Sequence, residues 1–260
     1  MMKLLKYELQ RRRTLLPGAA IGMLFIEGAA LYGIYRGGNW NTLAIAMTML
    51  LAVGGLLLPM LDAVTKLYAD YKQKQGYLLF LTPQGGYRIL LAKTVFGALE
   101  IAASMLLICG CLALSAALLD RFQYGAATAL LSSVGAQMGD ALTTGMLFTF
   151  VGLAALQMIA QMCVALLAVT VSRAMVQSNR YNWLISLAMY FALAVGINMV
   201  NGVLLVAFGF VGDVMRLIRD ESHALRMLGK YFAISAGTYA VWAAACTAVS
   251  GRLAGRSIDL

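Results

Sequence analysis

The sequence predicts an all-α polytopic membrane protein with six transmembrane helices and with both its N and C termini in the cytoplasm. Of its residues, 62% are apolar and only 12% are charged, whereas soluble domains carry about 25% charged residues. Several apolar runs are long enough to cross a bilayer, and no strand-like alternation with regular turns separates them. Because backbone groups in lipid must satisfy one another, we expect these runs to be helices.

The expected elements form a single transmembrane domain over residues 1–260. They are, in order, an amphipathic interfacial helix over 1–13, spans over 14–35 and 42–64, a cytoplasmic insert over 65–86, spans over 87–119, 141–171 and 183–211, an outer element over 212–230, and a last span over 231–250. A cleaved signal peptide is the alternative for the basic start, but the first apolar run exceeds a typical signal-peptide core. The outer element is either a solvated helix or a re-entrant segment.

The positions of the basic residues set the expected orientation. The cytoplasmic segments of this arrangement hold 14 of the 20 Lys and Arg residues, in agreement with the positive-inside rule. Four of the six outer ones lie together within 212–230, and this cluster fits the rule poorly. The net charge of +9 therefore reflects loops beside membrane spans and attraction to anionic membrane lipids, and we expect no nucleic-acid partner.

The longest polar interruption of the apolar first half covers residues 66–93. It carries five basic residues against one acid, Asp70. Residues 66–75 contain neither Gly nor Pro and are expected to form a short helix that ends at Gly76. The third span is longer than a bilayer core, so its first turns, with Arg88 and Lys93, are expected to extend into the cytoplasm. The insert is either a solvated loop or a docking element for a cytoplasmic partner.

Polar side chains inside the spans are candidates for function because burying them in lipid is costly. Glu27 lies deep in the first span, whereas Asp62 and Glu100 lie near the expected inner ends of the second and third. The candidates for a substrate path are Glu27, Asn198, Asn201, Gln157 and Gln161. The alternatives are pairing at head-group level for the acids and hydrogen bonds between helices for the amides.

The sequence contains no pattern typical of a catalytic site. It has no P-loop, no GxSxG and no HExxH motif, and it has one histidine. The four cysteines fall within apolar runs and imply neither a disulfide nor a metal site. We therefore expect no catalytic residues, no metal and no cofactor in this chain, and any ATP it uses must be bound by another protein.

The order of these parts resembles the ABC-2-type permeases, the membrane subunits of a class of bacterial ABC exporters. The resemblance rests on the basic start, the six spans, the insert between the second and third spans, and the outer element before the last. The phrase from Gly76 to Pro83, GYLLFLTP, followed by ILLAK at 89–93, looks like the GY-L-FLTP segment of small permeases in that group. The basic outer segment departs from the family pattern.

The resemblance implies a multi-pass permease of the bacterial cytoplasmic membrane that works as a dimer, with an identical or paralogous second permease. The insert would dock as a coupling helix on a separate ABC ATPase subunit, which would bind ATP and Mg, and the substrate would be an amphipathic peptide, lipid or drug. In relatives the first and fifth helices often line the path, which favours Glu27 and Asn198. The coupling residues would be Lys66, Tyr68, Asp70, Tyr71, Lys72, Lys74, Gly76, Tyr77, Phe80, Thr82 and Pro83.

Two other classes of protein fit parts of the sequence. A secondary transporter usually shows internal repeats and interrupted helices around an ion site. The sequence shows no clear repeat, and a single acid deep within a span provides few ligands for a coupling ion. A membrane anchor or regulator of a cytoplasmic factor would use the same insert, but it would not need Glu27 or the buried amides.

Overall fold

The computed structural model describes most of the chain as six long helices. The described residues are 6, 8–10, 15–37, 40–72, 85–122, 143–175, 182–210 and 224–256. The helices are α1 (Leu15–Arg36), α2 (Trp40–Lys72), α3 (Gly85–Phe122), α4 (Thr143–Met175), α5 (Asn182–Ala207) and α6 (Ala224–Arg256). Each contains a stretch long and apolar enough to cross a membrane, and the described residues contain no strand. The predicted all-helical, multi-pass fold is confirmed.

The turn between α1 and α2 follows from its glycines. Gly37 has a φ of 67°, a left-handed conformation that glycine adopts without steric cost. Its N–H donates to the carbonyl of Gly33 and so closes the end of α1, in a common form of helix C-cap. Gly33 itself leaves room for α2, because a methyl group there would lie 2.9 Å from the carbonyl oxygen of Trp40. The chain can therefore reverse within a few residues.

One predicted boundary is wrong. The second span was expected to end at residue 64, with a separate short helix from Lys66, but α2 continues without a break to Lys72. The residues from Val64 to Lys72 include neither Gly nor Pro, so nothing in the local sequence stops the helix. The proline inside α2, Pro59, does not end the helix either. The helix is thus longer than its apolar stretch.

Other boundaries shift by a few residues or lie outside the described ranges. The last helix begins at Ala224, so the end of the expected outer element belongs to α6, and residues 211–223 lie outside the described ranges. Most of the expected interfacial helix over 1–13 and the part of the insert over 73–84 also lie outside them.

The chain groups into two compact units. Of the described residues, the first unit comprises those within 62–97 and 149–260, and the second comprises those within 2–61 and 98–148. In the first unit α4 is buried most fully, with an almost continuous run of buried apolar side chains over 162–169. In the second, a core forms around Met23, Leu51, Ile108 and Cys111.

Candidate functional site

A cluster of polar side chains lies in the first unit, near the C-terminal end of α2. We call it the α2 polar cluster. Its members are Asp62, Lys66, Tyr68, Asp70 and Tyr71 from α2, Lys93 from α3 and Arg173 from α4. Four of the coupling residues predicted from the sequence therefore lie on the α2 side of this cluster together with Asp62, and the cluster adds two basic partners from other helices.

Asp70 and Lys93 form a buried ion pair between α2 and α3. The Lys93 ammonium donates to Oδ2 of Asp70 over 2.5 Å, and the two side chains are 3% and 4% exposed. Removing either partner would leave a charge in a water-poor environment, which is far more costly than losing a surface ion pair. Lys93 lies in the first turns of α3, and its side chain is buried within the protein. The pair ties the last turn of α2 to α3.

Asp62 and Lys66 form a second ion pair within α2. Their separation of one helical turn brings the Lys66 ammonium to 3.0 Å from Oδ2 of Asp62. Such pairs are favoured by the geometry of the helix surface. Asp62 is buried, in agreement with the expectation that it pairs with a basic residue near the end of its span. Lys66 thus contacts its own helix.

Tyr68 meets α4 through Arg173. The Arg173 guanidinium carbon lies 5.1 Å from the centre of the Tyr68 ring, within the range of a cation–π interaction. Tyr71, the next aromatic residue of α2, lies near the charged groups of both Asp70 and Arg173. The aromatic residues of the predicted coupling helix therefore face the interior of the first unit.

Glu27 occupies a buried position in the second unit. Its side chain is 3% exposed, and its Oε1 accepts a hydrogen bond of 2.6 Å from the Ser115 hydroxyl of α3. Within the described residues its Oε2 has no hydrogen-bond partner. Burying an acid midway along a membrane helix, with one of its oxygens lacking a hydrogen bond, is energetically costly. This cost makes Glu27 a candidate for function.

The amide side chains of the predicted substrate path lie in the first unit and do not form one site. Gln161 accepts from the Tyr190 hydroxyl, and the Asn201 amide donates to the Ser235 hydroxyl, both over 3.4 Å. These contacts fit the alternative of hydrogen bonding between helices. Gln157 is half-buried, whereas Asn198 is exposed and donates to the carbonyl of its own helix at Ala194.

The remaining predicted coupling residues cannot be placed. The positions outside the described ranges are Lys74, Gly76, Tyr77, Phe80, Thr82 and Pro83, and the side chain of Lys72 is likewise outside the description. The sequence reasoning did not assign a role to Ser115 or Arg173. A basic residue near a span end is an ordinary topological signal, so nothing in the sequence distinguished Arg173 from its neighbours.

The described residues offer no metal site, since no group of three or more His, Cys, Asp or Glu side chains is placed to hold an ion there. Comparison with known proteins returns no matching family model, curated protein or solved structure. The six helices that are long and apolar enough to cross a membrane indicate a multi-pass membrane protein. Any narrower assignment rests on the residues themselves.

Proposed function

We propose that this chain is the permease subunit of an ATP-driven ABC exporter of the ABC-2 type, in the bacterial cytoplasmic membrane. Six membrane-spanning helices and the GYLLFLTP phrase support the assignment. The chain would form the path for an amphipathic peptide, lipid or drug. Since its sequence has no P-loop, ATP and Mg would be bound by a separate ABC ATPase subunit.

The observation that carries the proposal is the buried ion pair between Asp70 and Lys93. These residues flank the segment over 73–84, three residues before its start and nine after its end. A partner that moves this segment would act on two helices that are already joined by a charge-assisted hydrogen bond. The segment would therefore transmit movement to α2 and α3 together, as a coupling element requires.

We assign two different roles to predicted coupling residues according to whether they lie in the described end of α2 or in the segment over 73–84. Lys66, Tyr68 and Asp70 contact other residues of the first unit, so their role would be to hold the end of α2 in place. Contact with the ATPase would fall to the segment over 73–84, whose candidates are Lys74, Gly76, Tyr77, Phe80, Thr82 and Pro83.

A second permease would cover α5. Only 11% of its span is buried, compared with 22% to 44% in the other five. Exposed apolar side chains recur along it every three or four residues, at Leu184, Leu187, Phe191, Val195, Met199, Val203 and Val206. Asn198 is exposed within the same span. An amide on a lipid-exposed helix favours association with another helix that can hydrogen-bond to it.

A photo-crosslinking experiment tests the docking assignment. A photoreactive amino acid at position 77 should crosslink to a soluble protein that contains a P-loop, in membranes of the native host. The control is the same amino acid at Phe208, which is 62% exposed and lies just after the last residue of α5. A P-loop adduct at 77 but not at 208 supports the proposal. Equal labelling at both positions, or none at 77 in a correctly inserted chain, would contradict it.

The half-satisfied carboxyl of Glu27 also fits a secondary transporter, in which a buried acid binds the coupling ion. The two functions differ in their energy source. Transport by the purified chain alone, driven by a proton or sodium gradient, would favour the secondary transporter. A chain that tolerates Glu27→Ala without loss of function would instead fit a membrane anchor or regulator.

A further inference from the structure

Arg173 is the basic member of the α2 polar cluster that has no ion pair with an acid of the described residues. Its Nε and Nη2 atoms are shielded from solvent, and within the described residues neither has a hydrogen-bond acceptor. A guanidinium shielded in this way loses its hydration without replacing it. An anionic group that reaches Nε and Nη2 would accept the missing hydrogen bonds and restore the charge balance.

The charge balance of the first unit supports an anion at this position. Within its described residues the only acids are Asp62 and Asp70, and each lies 3.0 Å or less from a lysine ammonium. The ion pairs therefore account for both acids and for Lys66 and Lys93. Arg173 is left with an aromatic ring beside it and no counter-charge among these residues.

The position of Arg173 along its helix indicates the source of the anion. Arg173 is two residues from the end of the candidate span Thr149–Met175, and Tyr68 is three residues from the end of the span Thr42–Tyr71. Basic and aromatic side chains at span ends lie at the level of the lipid head groups. The anion present at that depth in every membrane is the phosphodiester of a phospholipid.

We propose that Arg173, which lies over the ring of Tyr68, binds the phosphate of a membrane phospholipid, with a preference for an anionic head group. The planar guanidinium offers paired N–H donors that match two phosphate oxygens. The cation–π contact with Tyr68 holds the guanidinium near the end of α2. The lipid would anchor α4 beside the end of α2. This inference does not depend on the proposed exporter function.

The test titrates phospholipid onto the full chain, purified in detergent and stripped of lipid, with native mass spectrometry as the readout. The probes are dioleoylphosphatidylglycerol, dioleoylphosphatidylcholine and inorganic phosphate. The matched control is Arg252→Gln, because Arg252 is an exposed arginine in the same unit. Arg173→Gln should weaken binding of one phosphatidylglycerol molecule about tenfold or more, whereas Arg252→Gln should leave it unchanged.

Two further variants keep the test decisive if Arg173→Gln fails to fold. Arg173→Lys retains the charge but not the paired donors, and Tyr68→Leu removes the ring that holds the guanidinium through the cation–π contact. Both substitutions should weaken binding by several-fold. If the Arg173 and Arg252 variants lose phosphatidylglycerol binding equally, the binding depends only on the overall surface charge, and the proposal is overturned. Displacement of the lipid by an equal concentration of inorganic phosphate would also overturn it, since the ligand would then be the free ion.

Discussion

Breaking the ion pair between Asp70 and Lys93 should be among the most destabilising single changes in the described part of the chain. Lys93→Met removes an ammonium that lies 2.5 Å from Oδ2 of Asp70, and it leaves the carboxylate in a site that is 4% exposed. Loss of one partner of a buried pair costs about 3–5 kcal/mol, most of which is the unpaired charge. An exposed pair would contribute less than about 1 kcal/mol.

The measurement is the free energy of unfolding in bicelles, titrated with denaturing detergent, for Lys93→Met, Asp70→Asn and the double variant. Because the double variant leaves no unpaired charge, its cost should fall well below the sum of the single costs, with a coupling energy of about 2 kcal/mol or more. Arg252→Gln is the control and should change the stability by less than about 0.5 kcal/mol. Strictly additive costs, or single costs near that of the control, would refute the reasoning.

Two further predictions concern the second unit. Ser115→Ala should destabilise the chain by about 1–3 kcal/mol, because it removes the hydroxyl that donates to Oε1 of Glu27. Glu27→Gln retains an acceptor, so it should cost less than about 1 kcal/mol of stability while abolishing transport. A stable and fully active Glu27→Gln chain would show that Glu27 is not part of the substrate path. Gly33→Ala should cost about 1–3 kcal/mol, because the new methyl group meets the backbone of Trp40 at 2.9 Å. Gly28→Ala, where nothing lies within 4 Å, is its matched control and should be neutral or slightly stabilising in the same unfolding assay.

The helices were predictable because the bilayer imposes length and apolarity on each span. The end of α2 shows where that reasoning stops. Hydropathy falls after Val64, but a helix continues until its backbone is interrupted, and the residues up to Lys72 contain no helix breaker. The end of the membrane and the end of the helix are thus set by different properties of the sequence. A boundary predicted from hydropathy therefore marks the end of the apolar stretch and not the end of the helix.

The candidate site was only partly predictable, because helical periodicity assigns residues to faces but does not say which faces meet. Helical periodicity puts Tyr68 and Tyr71, three residues apart, on one face of α2 and Asp70 on a neighbouring one. The partner of Asp70 lies 23 positions away, and that of Glu27 lies 88 positions away. Pairing at such separations depends on helix packing, which a single sequence does not reveal.

The most direct test of the exporter assignment is purification of the chain from its native host in mild detergent, followed by identification of co-purifying proteins and an ATPase assay. We expect a stoichiometric soluble protein with a P-loop, a second permease, and ATP hydrolysis in the purified complex. Gly76→Pro, which alters the segment over 73–84 without touching a described contact, should release the P-loop protein. A chain that purifies alone, and that still moves solute across liposomes under an ion gradient, would contradict the assignment.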